Sequence, residues 1–234
     1  MLFRSTSLDG KLWYPSLVAA HAGLAAILLG KSVKIMYSRE EDFLYTPKRS
    51  PAVLRYAAGL DKEGRLLAAD IEIVINTGAY PVFSRETVDR AAAAALGGYH
   101  CPNVRLSVLA AETNLPPLGP FSGAGSAMSL FAVEAFAERL RAEAGLDPAA
   151  WKKANLATPE RGMLTGESQR AFLPEPALLD TALRMSDFSR KHAAFELARK
   201  RKKEGDGAPE ALRGIGLAVG CQASGFFGAG EAGL

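Results

Sequence analysis

Between Thr113 and Ser126 the chain reads Thr-Asn-Leu-Pro-Pro-Leu-Gly-Pro-Phe-Ser-Gly-Ala-Gly-Ser and runs straight into an apolar, helix-forming stretch. No other segment restricts the fold as strongly. The prolines lack amide donors and end an incoming strand, and the glycines admit positive backbone dihedrals and close approach. The helix that follows opens with amides that have no acceptor inside it. Such a bend can cradle an anion or the head group of a cofactor. A Gly-Xaa-Gly before a helix is also a plain tight turn, and both readings stand on the pattern alone.

The flanking sequence says what the bend is set into. Leu17, Ala20, Leu24 and Leu28 recur with helical period, which predicts a helix over 16–29 ended by Gly30. Val33, Ile35 and Tyr37 alternate with polar neighbours as a strand does, and 53–60 joins 65–76 across Asp61-Lys62-Glu63-Gly64 as a hairpin. An alanine-rich helix over 86–96 stops at Gly97-Gly98, and 104–112 alternates as a further strand. The helix over 126–144 is apolar nearly all round in its first half, so the bend that starts it is expected to be buried. Glu134, in that apolar half, is expected to be a paired structural carboxylate. Helices over 176–184 and 189–204 precede a strand-like piece at 214–219. One hairpin among helices predicts an α+β fold, a layered mixed sheet with helices, rather than a regular doubly wound sheet.

Composition narrows the function. The chain has 234 residues, 48% of them hydrophobic and 23% charged, enough for a soluble domain with a real core. A formal charge of +3 gives no warrant for nucleic-acid binding, and the basic run Arg199-Lys200-Arg201-Lys202-Lys203 ends a helix where cations suit the dipole. No apolar run is long enough to span a membrane, and Met1-Leu2-Phe3-Arg4 lacks the layout of a secretory signal. Cys101 and Cys221 form no Cys-Xaa-Xaa-Cys pair, which argues against an iron–sulfur cluster or a disulfide scaffold within the chain and for a reducing cytoplasm. His21, His100 and His192 have no metal-ligand spacing, so no protein-held metal is expected.

The bend resembles the Thr-Asn-Xaa-Pro-Pro…Ala-Phe-Arg-Gly-Phe-Gly loop of the molybdenum-cofactor (large) subunit of the xanthine dehydrogenase and aldehyde oxidase family. Other stretches are similar in the same order: Gly30-Lys31-Ser32-Val33-Lys34…Arg39-Glu40-Glu41-Asp42, Lys48-Arg49-Ser50-Pro51, Asn76-Thr77-Gly78-Ala79-Tyr80, Tyr99-His100-Cys101-Pro102-Asn103, Asp147-Pro148 and Asn155-Leu156. The match is close over 10–155, thin over 159–209, and returns at Arg213-Gly214-Ile215-Gly216. It implies a cofactor-binding core at 1–158, a helical connection at 159–209, and the start of a second, truncated half at 210–234. The chain is therefore expected to be an internal piece of a larger subunit and inactive alone.

What the resemblance implies for chemistry is a hydroxylase that uses a molybdenum-pyranopterin, either molybdopterin or its dinucleotide form, on a small N-heterocycle or aldehyde. Its implied partners are the rest of the molybdenum subunit and iron–sulfur and flavin (FAD) subunits or domains, in an oligomeric assembly. Phe121, Ser122, Gly123, Ala124 and Gly125 fall at the cofactor loop. Arg90, with Asp89 beside it, falls where purine-using members carry a substrate-facing arginine that stabilises developing charge; the residues alone allow a surface start to an alanine-rich helix. Ala124 and Phe226 fall at substrate-facing positions, and both Phe121 and Phe226 read equally as core. The family's general base lies in a part not present here, and Glu231 reads as a surface or hinge carboxylate. Ser122 stands where the family has an arginine, Ala124 where it has a phenylalanine, and Leu12 where purine-using members have a glutamate, so xanthine is disfavoured as substrate. These departures also admit a non-catalytic paralogue serving as a structural or assembly subunit, and the bend alone admits a stand-alone anion-binding domain.

Overall fold

The computed structural model describes residues 10–80, 84–119, 121, 123–158, 160–162, 164, 175–204, 211 and 213–220. The order of elements is α1 (Gly10–Leu29), α2 (Arg39–Tyr45), β1 (Ala52–Leu60), β2 (Leu66–Gly78), α3 (Ser84–Ala93), β3 (Asn103–Glu112), α4 (Ser126–Glu143), α5 (Pro148–Asn155), α6 (Glu175–Ser186) and α7 (Phe188–Glu204). The strands form a mixed sheet in the order β1-β2-β3, with β1 antiparallel and β3 parallel to β2. A parallel neighbour needs a crossover, and α3 provides it. The fold is α+β.

The hairpin turn is closed by its own first residue. The Asp61 carboxylate accepts the amides of Glu63 (3.0 Å) and Arg65 (2.7 Å), so the tetrad consumes its donors locally. Asn155 then ties the hairpin to α5: its side-chain oxygen accepts the Leu66 amide at 2.8 Å, and its amide donates to the carbonyls of Gly64 and Trp151 at 3.1 and 3.0 Å. Along β2, Ala69, Ile71, Ile73 and Ile75 point inward against Ala91, Ala95 and Leu96. Each buried isoleucine contributes about 1.5–3 kcal/mol relative to exposure. The intervening residues face outward, where Arg55 pairs with Glu72 and Arg105 with Asp70, and the Arg105 guanidinium holds the Asp70 carboxyl below its usual range.

A second core gathers Leu66, Tyr99, Val133, Ala137, Trp151, Leu156 and Leu179. Polar groups are sealed within it. Lys152, 1% exposed, donates from Nζ to Glu134 and to the Tyr99 hydroxyl, each at 2.6 Å, and Tyr99 donates to Glu134 at 2.7 Å. Glu134 is therefore the paired structural carboxylate expected from its helix position. Burial beside that carboxylate pushes the Tyr99 phenol far above its ordinary value; burial also raises Tyr56, which donates to the Ala95 carbonyl at 2.9 Å.

Several elements differ from expectation. Residues 33–37 join no strand among the described residues, and Ile35, Met36 and Tyr37 are exposed. Residues 214–219 also join no sheet among the described residues, although Leu217 and Val219 lie on the second core. Alternation records which side chains face inward, whereas a strand also needs a neighbour's backbone. The α3 helix ends at Ala93, before the expected 96, because 94–99 tightens into turns with Gly97 donating to Ala94 and Tyr99 to Leu96, both at 3.0 Å. Helix α1 begins at Gly10 rather than 16, and α2 and α5 are helices the hydrophobic pattern did not predict.

No helix among the described residues is long and apolar enough to cross a membrane, and no three of their His, Cys, Asp or Glu side chains cluster as metal ligands. His100 bonds the Gly162 carbonyl through Nδ1, and burial raises the half-buried Cys101 thiol. Cys221 lies outside the described residues.

Candidate functional site

Backbone bonds on two sides lead the proline-rich segment to its bend. Leu118 donates to Thr77 at 3.2 Å, Ala79 to Leu115 at 3.0 Å, and Gly119 to Lys48 at 3.1 Å, which fixes the approach between the end of β2 and the segment before β1. The chain then turns with positive φ at two successive residues, Gly123 (80°) and Ala124 (41°). Ala124 donates to Phe121 at 2.6 Å and Ser126 to Gly123 at 2.9 Å, and the α4 ladder begins with Ser129 donating to Gly125 at 3.3 Å.

The bend packs into the core, as its position before an apolar helix predicts. Residues 123–126 are buried and Phe121 is half-buried. Gly125 lies so close to α3 that a Cβ there would overlap the Thr87 carbonyl oxygen and sit 2.8 Å from the Ala91 amide nitrogen. The hydroxyls of Ser126 and Ser129 donate to the Arg90 and Ala91 carbonyls at 3.4 and 2.9 Å. Small residues let the two helices approach, and serine hydroxyls satisfy the carbonyls at the end of α3.

Arg90 lies on the helix against which the turn packs. It is 1% exposed, and its guanidinium pairs with the buried Glu86 carboxylate one helical turn earlier. The structure thus brings the backbone of Arg90 beside the turn that holds Ala124 and Gly125, with its side chain held by Glu86. Asp89 instead pairs with Arg85 at 3.7 Å. Ser122, Phe226 and Glu231 lie outside the described residues, and Leu12 falls in α1.

The donor set at this junction suits an anionic or strongly polar group. Gly125 is the N-cap of α4 and offers no capping side chain, and the first turn holds no acidic residue. An eighteen-residue helix thus starts without a capping side chain or an acidic first-turn residue of its own. Successive φ values of 80° and 41°, then −69° at Gly125, turn the chain sharply into α4, and the Ala124 and Ser126 amides are used within that turn, on the Phe121 and Gly123 carbonyls. An open groove of about 760 Å³ lies elsewhere, over the outer sheet face near Asp70 and Arg105, and a small closed cavity lies beside Tyr56 and Trp151. Neither includes the turn.

A family profile described as the molybdopterin cofactor-binding domain matches residues 10–156. The chain belongs to this family. It is 34% identical over 142 residues to a probable xanthine dehydrogenase subunit of Bacillus subtilis, a match covering 61% of this chain and 19% of that protein. It is also 34% identical over 131 residues to the nicotinate dehydrogenase large molybdopterin subunit of Eubacterium barkeri, covering 56% and 31%. Among solved structures, the aldehyde oxidoreductase of Desulfovibrio gigas superposes with a TM-score of 0.67 at 29% identity, over 79% of this chain and 19% of that one. The chain spans less than a third of the length of these relatives.

Sequence reasoning missed some residues that shape the site. Glu86 was legible, since it stands four residues before Arg90 on a helix. Arg49, whose Nη1 donates to the Ala124 carbonyl at 3.3 Å, was not, because 75 residues separate the partners.

Proposed function

We propose that this chain is one wall of the molybdenum site in the large subunit of an oxidoreductase that hydroxylates a small N-heterocycle or aldehyde. The observation that carries this reading is the start of α4: two successive positive φ values leading into a buried helix end whose N-cap is a glycine with no side chain to cap it. Phe121, Gly123, Ala124 and Gly125 form the cofactor side of that wall, and Arg90 and Ala124 the substrate side; Ser122 and Phe226, which the resemblance assigns to the same two sides, lie outside the described residues. When bound, the molybdenum-pyranopterin supplies the redox chemistry, with water as the oxygen source. The turn's part is to bind and orient: it fixes the start of α4, whose positive end would face a polar, anionic group without having to reorganise. Phe121 supplies apolar surface beside it, which excludes water. Arg90, fixed by Glu86, holds its guanidinium where negative charge develops on the substrate. Iron–sulfur and flavin partners carry the electrons away, in an oligomeric assembly within a reducing cytoplasm.

The test is metal analysis of the chain produced with the polypeptides encoded beside it, in a host that makes the pterin. Stoichiometric molybdenum, with turnover of an aldehyde or N-heterocycle panel, is the expected result. Molybdenum without turnover would mark a non-catalytic subunit, and phosphate binding without molybdenum would return the turn to a plain anion site.

A further inference from the structure

We propose that Arg49 is a positioning residue for the cofactor turn, clamping its strained corner and supplying the turn's one external cation among the contacts described. The residues of the turn, Phe121-Ser122-Gly123-Ala124-Gly125-Ser126, carry no charge of their own, and the cation of neighbouring α3, Arg90, is engaged with Glu86.

Arg49 reaches the turn because its backbone is fixed beside the turn's approach. Lys48 bridges Leu118 in parallel fashion, and its carbonyl accepts the Gly119 amide at 3.1 Å. Successive residues of an extended segment point to opposite sides. Lys48 turns back to α2, where its ammonium donates to the Asp42 and Thr46 carbonyls at 2.6 and 3.2 Å. Arg49 turns the other way and donates to Ala124.

The bond falls where it has most effect. Ala124 is a residue with a side chain held at φ +41°, a conformation that L-residues adopt at a cost of about 1–2 kcal/mol. Its carbonyl lies one residue before the one that opens the α4 ladder. A guanidinium on that oxygen fixes the peptide plane between Ala124 and Gly125, and with it the direction of the amides at the helix start. A guanidinium at this corner also makes it more attractive to an anion. This inference rests on the molybdenum reading for its ligand and on geometry alone for the clamp.

The experiment has two arms, both on the chain produced with its neighbouring polypeptides in a pterin-making host. Molybdenum per chain is measured for the wild type, Arg49→Gln, Arg49→Lys and the double variant Arg49→Gln/Ser122→Arg, which returns a cation to the turn itself. Amide hydrogen exchange over 121–129 is followed in the same samples, with the thermal midpoint as a control for folding. We expect Arg49→Gln to lower molybdenum content about tenfold, as for loss of one charge-assisted bond, and to speed exchange at Ala124 and Ser126. Arg49→Lys should lie between, and the double variant should recover molybdenum to within about twofold of wild type. Wild-type molybdenum in Arg49→Gln overturns the proposal. Loss that Ser122→Arg does not restore overturns the charge half of it. If the wild type itself takes up no molybdenum, the cofactor reading fails instead, and the exchange arm still decides whether Arg49 clamps the turn.

Discussion

Three helix starts in this molecule are built from opposite materials. α2 and α5 are closed by their own side chains: Ser38 and Glu41 exchange bonds with each other's amides at 3.1 and 2.7 Å, and Asp147 accepts the Ala150 amide at 2.8 Å with Pro148 following. α4, more than twice as long as either, starts on glycine with no side-chain cap. Where the chain only needs a helix to begin, it spends a serine or an aspartate on the exposed amides. At the start of α4 it leaves them without a capping side chain, and stabilises the turn by packing on α3 and by Arg49 from outside. Caps and packing are therefore alternative ways to hold a helix end, and only the second leaves donors for a ligand.

The sharpest break of this contrast is Gly125→Ala. A Cβ there meets the Thr87 carbonyl oxygen and the Ala91 backbone, neither of which belongs to a flexible side-chain end. The α3/α4 junction has to open, at a cost of about 3 kcal/mol or more. Urea unfolding would read this as a lowered midpoint, and a loss below about 1 kcal/mol would mean that α3 and α4 are not in the close contact described.

Next is Asn155→Ala, which removes the acceptor of the Leu66 amide and the donor to Gly64 and leaves buried groups unpaired. A loss of about 2–3 kcal/mol is expected. The effect belongs to the hairpin and α5, so molybdenum content per folded chain should not change. A selective loss of metal would show that the two ends of the domain are coupled.

How much of this was legible follows from what each feature depends on. The hairpin, β3, α4 and the burial of the bend were readable because they rest on local period and turn chemistry. So was Glu134, since an apolar helix face cannot hold a lone carboxylate. α2 and α5 escaped a search by hydrophobic period because they are too short to show one; their caps, Ser38-Xaa-Xaa-Glu41 and Asp147-Pro148, were in plain view. The segments 33–37 and 214–219 have the alternation of strands without a described pairing partner. The Lys152–Tyr99 and Arg49–Ala124 contacts join residues 53 and 75 positions apart, and nothing local marks either.

The middle of α4 offers a test by pH. Tyr99 and Tyr56 have phenols raised by burial, so the folded state holds those protons more tightly than the unfolded chain, whose tyrosines titrate near 10. The stability this gives is complete below pH 10 and is lost as pH rises beyond it. By pH 11 the loss is about 1.4 kcal/mol for each tyrosine. In Tyr99→Phe the same pH series should fall about half as steeply, and an unchanged slope would place the alkaline sensitivity elsewhere.

Asp147→Ala should cost about 1 kcal/mol, the worth of an N-cap, and leave the cofactor turn untouched. The smallest effect is expected at Ala124→Gly, and its smallness is informative. Glycine relieves the positive φ, worth about 1 kcal/mol, but it loosens the unfolded chain by about 0.4–1 kcal/mol and removes a buried methyl worth about 0.8 kcal/mol. These contributions partly cancel, so stability should fall by less than about 1 kcal/mol. Removing the methyl leaves the carbonyl that Arg49 grips, so if that clamp sets the corner, exchange at the Ser126 amide should also stay unchanged. Faster exchange at unchanged stability would mean that the alanine side chain, and not the guanidinium, holds the turn in its shape.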